Sequence, residues 1–147
     1  MYLLVMTQEQ KELLLKDLCS RLPYGVKVYD IKSDINSSFM NLNHINGTVK
    51  EVFISYMHKC RTAPIEDVKP YLFPLSSMTE EQKADCPIGE TNLNIIISNI
   101  GCYGIIEIPW RLSYLFVDWC NKNHFDYRGL IPLGLAEDAT GKNIYKL

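Results

Sequence analysis

Leu14, Leu15, Leu18, Cys19 and Leu22 return every three or four residues. That period puts side chains on one face of an α-helix and predicts a helix over Gln8–Arg21 with these five as its apolar stripe. Thr7, Gln8, Glu9 and Gln10 in front form a capping box: the threonine oxygen accepts an amide three residues on, and Gln10 reaches back. Pro23 stops the helix, and Tyr24-Gly25 turns the chain.

The period then changes to two. Residues 26–31 alternate as a half-buried strand does. Residues 38–45 predict a second strand, with Phe39 and Met40 breaking the alternation, and 48–57 a third. Asn46-Gly47 between them tolerates the positive φ of a tight hairpin turn. Pro64, Pro70 and Pro74 then argue against a central strand or a long helix. One helical turn at 65–69 is expected there. An extended strap at 69–74 should follow, with Tyr71, Leu72 and Phe73 partly buried, since three large apolar residues rarely all face water.

Thr79-Glu80-Glu81-Gln82 repeats the capping chemistry and predicts a short helix over Glu80–Asp85. Residues 87–92 read as a loop, and 93–100 and 102–108 as β-rich runs around Gly101. Pro109 suits the first turn of a helix running to about residue 123. Leu112, Leu115, Phe116, Trp119 and Cys120 make its apolar face, with Trp119 as a core anchor. The tail, 124–147, is rich in turns but carries Tyr127, Leu130, Ile131, Leu133 and Leu135, which predict packing against the domain.

The expected fold class is therefore α+β, in a single domain over residues 1–147. An N-terminal helix precedes a small, mainly antiparallel sheet or half-open SH3-like barrel. A long C-terminal helix and an ordered tail follow. No strand–helix–strand alternation points to a doubly wound sheet.

Composition narrows the function. With 47% hydrophobic and 22% charged residues the chain has ordinary globular usage. A net charge of −2 and no long basic run disfavour nucleic acid as a partner. Five cysteines, odd in number and without a CxxC pair, read as reduced thiols of a cytoplasmic protein. The apolar start is six residues long, too short for a signal peptide, and no run suffices for a membrane span.

Three stretches together resemble a known set of sequences: LLLKDLCSRLPYG at 13–25, VKPYLFPLSSMTEEQ at 68–82, and DWCN at 118–121 followed by HFDYRGLI at 124–131. The chain resembles a family of small uncharacterised proteins of Bacteroides-type gut bacteria and their phages, over about half its length. The resemblance implies an intracellular setting and a phage or prophage origin, and brings no activity with it. The chain departs from the family pattern at Cys120, where a leucine is expected, and across 33–57. The first departure marks Cys120 as a core residue here, and the second places any partner-specific surface in the hairpin.

Candidate chemistry is sparse. Cys120 and His124 share a helix face, and His58 lies two residues from Cys60, with Cys86 and Cys102 elsewhere. The paired spacings of a zinc site are missing, so no metal is expected. Five cysteines and three histidines offer nucleophile–base pairs on paper, but no catalytic signature surrounds any of them. Phosphate-loop and dinucleotide fingerprints are missing too, so no cofactor is expected. The densest polar string is His124, Phe125, Asp126, Tyr127, Arg128, Gly129. His124, Asp126, Tyr127 and Arg128 are the candidate ligand site, because an acid, a base, a phenol and a fork-shaped donor fall within a few residues. A helix exit uses the same residues as caps and turn. The expected function is a non-enzymatic binding or accessory protein whose partner is another protein or a small anionic ligand. The alternatives are a nucleic-acid-binding accessory protein, and a small hydrolase or transferase using His124, Asp126 and Arg128.

Overall fold

Thr7 starts the first helix as its sequence requires. Its hydroxyl oxygen accepts the Gln10 amide at 3.2 Å, and the Gln10 side chain accepts the Thr7 amide at 3.0 Å. The computed structural model describes residues 5–45, 48–56, 59–98 and 110–145. Helix α1 spans Gln8–Arg21. Its buried residues are Leu14, Asp17, Leu18 and Arg21, whereas Cys19 and Leu22 are exposed. The expected leucine stripe is thus rotated by part of a turn, and two charges enter the core because they satisfy one another there.

Four antiparallel strands follow: β1 Lys27–Asp30, β2 Ile35–Ile45, β3 Thr48–Tyr56 and β4 Lys59–Pro64. β2 and β3 pair as far as Ile45 opposite Thr48, and the turn residues Asn46 and Gly47 lie outside the described residues. The broken alternation at Phe39 has a structural counterpart, since the register shifts between Phe39 and Asn41. β4 is a strand that its sequence does not announce. Lys59, Cys60, Arg61 and Thr62 are all exposed, so only Ala63 supplies an apolar signal.

After a single 3-10 turn at Ile65–Asp67, strand β5, Val68–Pro74, returns to pair with β1. The expected strap does bury Tyr71 and Leu72. The prolines nevertheless do not keep it out of the sheet's interior. Pro70 sits opposite Val28 on β1, and pairing with the later strand at Glu137–Asp138 begins only at Tyr71. A proline is tolerated where no partner requires its missing N–H.

Helix α2 spans Glu80–Asp85 under the second capping box. Helix α3 spans Gly89–Ser98, where a loop and a β-rich run were expected. The run of β-branched residues favours a strand locally. In the structure Leu93, Ile96 and Ile97 instead lie at helical spacing and pack on one apolar cluster, and tertiary burial overrides propensity. Gly101, the run 102–108 and Pro109 lie outside the described residues. Helix α4, Trp110–Lys122, has 13 residues, an ordinary length rather than a long one. Two short strands, β6 Phe125–Asp126 and β7 Glu137–Asp138, add in parallel to β5.

The sheet order is β4-β3-β2-β1-β5-β6, with β7 also on β5. The path is open, so the described strands form no closed barrel, and the class is mixed α+β. One apolar cluster joins Leu14 and Leu18 of α1 to Val28, Ile54, Val68 and Leu72 of the sheet. A second gathers Leu75, Cys86, Leu93, Phe116, Cys120 and Phe125. Trp119 is half-buried at the margin of the second rather than an anchor inside it, and Leu115 is exposed. No helix among the described residues is long and apolar enough to cross a membrane.

Candidate functional site

The polar string after α4 does come together, but around α1. Arg21 and Asp17, both fully buried, form a two-pronged ion pair one helical turn apart, at 2.7 Å through Nε and 3.0 Å through Nη2. Nη2 also donates to the Phe125 carbonyl at 2.7 Å, tying α1 to β6. Arg128 approaches the same carboxylate, with Nε 3.4 Å from Asp17 Oδ1, and its Nη2 donates to Ser20 Oγ at 3.3 Å. The Tyr127 ring takes both guanidinium groups, Arg21 at 5.2 Å and Arg128 at 4.9 Å from its centroid.

Asp126 is buried, and its two oxygens accept the amides of Leu130 and Ile131, each at 2.9 Å. Burial pushes its carboxyl above the ordinary range, although those two amides and Arg21 pull the other way. His124 has a positive φ of 62°, and its carbonyl accepts the Phe73 amide at 2.8 Å. Its ring stacks on Tyr145 with centroids 3.7 Å apart. The Tyr145 hydroxyl in turn donates to the Tyr71 carbonyl at 2.6 Å and accepts the Lys27 amide at 3.0 Å.

All four residues of the candidate ligand site are therefore engaged by other groups of the fold, Tyr127 and Arg128 around α1, Asp126 with its own turn and His124 with the tail. The fork of Arg128 faces Asp17 and Ser20, and the Asp126 carboxylate closes a backbone turn. Arg21 Nη1, His124 Nδ1 and Tyr127 Oη have no hydrogen-bond partner among the described residues, but all three atoms are shielded from solvent. The sequence reading missed Asp17 and Arg21. Their i, i+4 opposite charges were the available signal.

Burial, with Arg21 and Lys27 nearby, lowers the His124 pKa from 6.5 to about 4. Between those values the unfolded chain binds more protons than the folded one, so stability rises with pH across this window and is lost as pH falls through it. Urea midpoints measured from pH 7 down to pH 4 are expected to fall more steeply for the parent than for His124→Asn. Asparagine tolerates the positive φ without titrating. Identical pH profiles for the two proteins would refute the assignment.

A different set of residues lines an accessible recess of about 150 Å³: Asp30, Ser33, Ser37, Ile54, Tyr56, Lys59 and Arg61. The register explains the grouping. Ile54 pairs with Arg61 and Tyr56 with Lys59, while Val28 pairs with Ser37. Alternate strand residues share a face, so these side chains continue the face that carries Val28 and Ala63 into the core. No residue of α1 lines the recess. Asp30 is almost wholly buried and accepts from the Lys32 amide at 3.2 Å and from Ser33 Oγ at 2.6 Å. It also pairs with the half-exposed Arg61. Burial works against its charge, but the Ser33 hydroxyl and the Arg61 guanidinium outweigh it and hold the carboxyl below its ordinary range.

A wider recess of about 480 Å³ is lined by Glu81, Gln82, Ala84, Asp85, Trp119 and Asn123. It carries two carboxylates, and Asp85 already accepts the Trp119 indole N–H at 3.1 Å.

The chain was compared with models of protein families, with curated proteins and with solved structures. It matches none. Among the described residues no group of three or more His, Cys, Asp or Glu side chains could hold a metal. Cys120 and His124, one helical turn apart in sequence, have different surroundings. Cys120 is buried in the second apolar cluster, where burial pushes its thiol up, and His124 stacks on the tail.

Proposed function

We propose that the chain is a non-enzymatic binding protein, an accessory module of phage or prophage origin that acts in the cytoplasm. The observation that carries this reading is the division of labour among its polar groups. His124 and Asp126, which could perform acid–base chemistry, and Arg128 near them are engaged by other groups of the fold: His124 stacks on Tyr145, Asp126 accepts two backbone amides, and Arg128 approaches Asp17. The recess on the sheet instead lies apart from that string, with Ile54 and Tyr56 among its lining residues, and a concave and mainly apolar surface of this kind suits a ligand. The family resemblance of residues 13–25, 68–82 and 118–131 supports the accessory role and the setting.

The test compares turnover with binding. p-Nitrophenyl acetate and p-nitrophenyl phosphate are expected to hydrolyse at the buffer rate in the presence of the protein. Native mass spectrometry of the protein isolated from the cells that make it is expected to show a noncovalent partner or ligand on the chain. Hydrolysis above background that disappears in a folded His124→Asn variant would overturn the proposal in favour of a hydrolase.

A further inference from the structure

We propose that the open edge of the sheet, strand β4, docks an extended segment of a different protein, which adds to β4 as a further strand and sets one apolar side chain into the recess beside it. The inference rests on the reading of the chain as a binding protein and names the chemistry of its partner.

The edge comes first. β4, Lys59–Pro64, ends the strand order, and among the described residues it pairs only with β3. The register shows which of its backbone groups are free. Pro64 stands opposite Glu51 and has no N–H to exchange, so that pair is the kind without hydrogen bonds. The two kinds alternate along an antiparallel ladder, which makes Thr62 opposite Phe53 and Cys60 opposite Ser55 pairs of the same kind. Cys60 and Thr62 therefore turn their N–H and C=O groups outward, away from β3. Both residues are exposed. Groups arranged in this way are the complement of another extended backbone.

The recess is a second observation, independent of the first. Lys59 and Arg61 of β4 line it together with Ile54 and Tyr56 of β3, and the surface it exposes is mainly apolar. A strand alongside β4 would run about 4.8 Å from it, at the rim of the recess. The residue of that strand opposite Arg61 points to the recess face, and its two neighbours point to the other face. One position of the partner thus meets the recess. Ile54, 1% exposed, supplies an apolar floor there. Asp30 holds the Arg61 guanidinium, so the aliphatic stem of Arg61 is fixed as a wall. A volume of about 150 Å³ corresponds to about five water molecules, which suits a single apolar side chain rather than a drug-sized molecule.

Charge decides against a second copy of the chain as the occupant. In an antiparallel pairing of two copies centred on Cys60, Lys59 of each faces Arg61 of the other. Centring the pairing on Arg61 sets the two Arg61 residues opposite one another. Like charges directly opposite destabilise a strand pair. Centring it on Thr62 places Pro64 against Cys60, where proline has no N–H to give. Lysine and proline on an edge are devices against self-pairing, and they leave the outward groups of Cys60 and Thr62 to a different chain.

A displayed library of random nine-residue segments, selected on the full chain, tests the site. Amide chemical shifts map where the selected peptides bind. The peptides are expected to share a large apolar residue at one fixed position, and to shift the Cys60 and Thr62 amides and slow their hydrogen exchange. Alanine at the apolar position is expected to weaken binding about tenfold. Methylating the backbone nitrogen of the residue after it removes a strand-pairing hydrogen bond and is expected to weaken binding by about the same factor. Thr62→Pro removes an outward N–H and leaves the β3 ladder intact, so it is expected to melt near the parent and to bind about tenfold more weakly. The methylated peptide gives the same readout on the unaltered protein if that variant does not fold. A library without enriched sequences, shifts that lie away from β4, or full affinity in the methylated peptide would overturn the proposal. Concentration-dependent dimerisation that protects the Cys60 and Thr62 amides would overturn it too, by giving the edge to a second copy. Those results would leave the broader binding reading to its own test, because a ligand held elsewhere would still appear in native mass spectrometry.

Discussion

Asp17→Ala is expected to destabilise the protein by about 3–5 kcal/mol, the range for removing one partner of a buried ion pair. Asp17 and Arg21 are both fully buried, and Arg128 leans on the same carboxylate. Removing Asp17 leaves the Arg21 guanidinium inside the protein with the Phe125 carbonyl as its hydrogen-bond acceptor among the described residues and the Tyr127 ring beside it. The loss should appear as a lower urea midpoint with little change in slope, because the folded state covers the same surface. A companion variant separates a broken pair from lost packing. Asp17→Leu combined with Arg21→Met removes both charges and keeps most of the volume. It is expected to be markedly more stable than the single variant, since a buried pair replaced by apolar residues is often neutral or stabilising. A single variant within about 1 kcal/mol of the parent would show that the pair is open to water, against the burial described here.

Phe125→Ala carries the second large effect, about 3–5 kcal/mol. The ring is 1% exposed, lies 5.3 Å from Trp119 in a near-parallel stack, and meets Phe73 at 6.2 Å. Alanine would leave a cavity where β6, α4 and β5 join. The backbone carbonyl that accepts Arg21 survives the change, so the loss would report packing and not the ion pair. Phe125→Leu, which refills most of the space, is expected to cost about 1–2 kcal/mol. Differential scanning calorimetry distinguishes the two variants. Equal melting temperatures for Phe125→Ala and the parent would mean that the second apolar cluster does not depend on this ring.

One prediction concerns a residue of α1 beneath the string that looked most like chemistry, and the other a residue within it. Its composition was visible, but its orientation was not. Arg128 can grip a phosphate or a buried aspartate with the same geometry, and no local rule separates the two. The structure places Asp17 and Ser20 beneath it. The recess on the sheet was overlooked for the opposite reason. Asp30, Ser37, Lys59 and Arg61 are ordinary strand and turn residues in sequence, and they become a group only when β1, β2, β3 and β4 are set side by side.

The features that the sequence determined by itself are those whose physics acts within a few residues. Thr7 and Thr79 start helices because each reaches an amide three positions away, and both caps form. Residues 27–30, 38–45 and 48–56 are strands where the sequence predicts them, and in 27–30 burial alternates as the sequence does. Tertiary structure alone decided the rest. Asp17 and Arg21 go inside because Arg21 finds a carbonyl 104 residues along the chain, at Phe125. Residues 93–98 are helical because Leu93, Ile96 and Ile97 meet an apolar cluster contributed by other segments. Pro70 lies within the sheet because β5 pairs with β1 there, while β7 joins it only from Tyr71 onward. In each case the deciding partner is distant in sequence, and burying apolar side chains, or pairing a charge that is already inside, outweighs the few tenths of a kcal/mol per residue by which local propensity prefers another form.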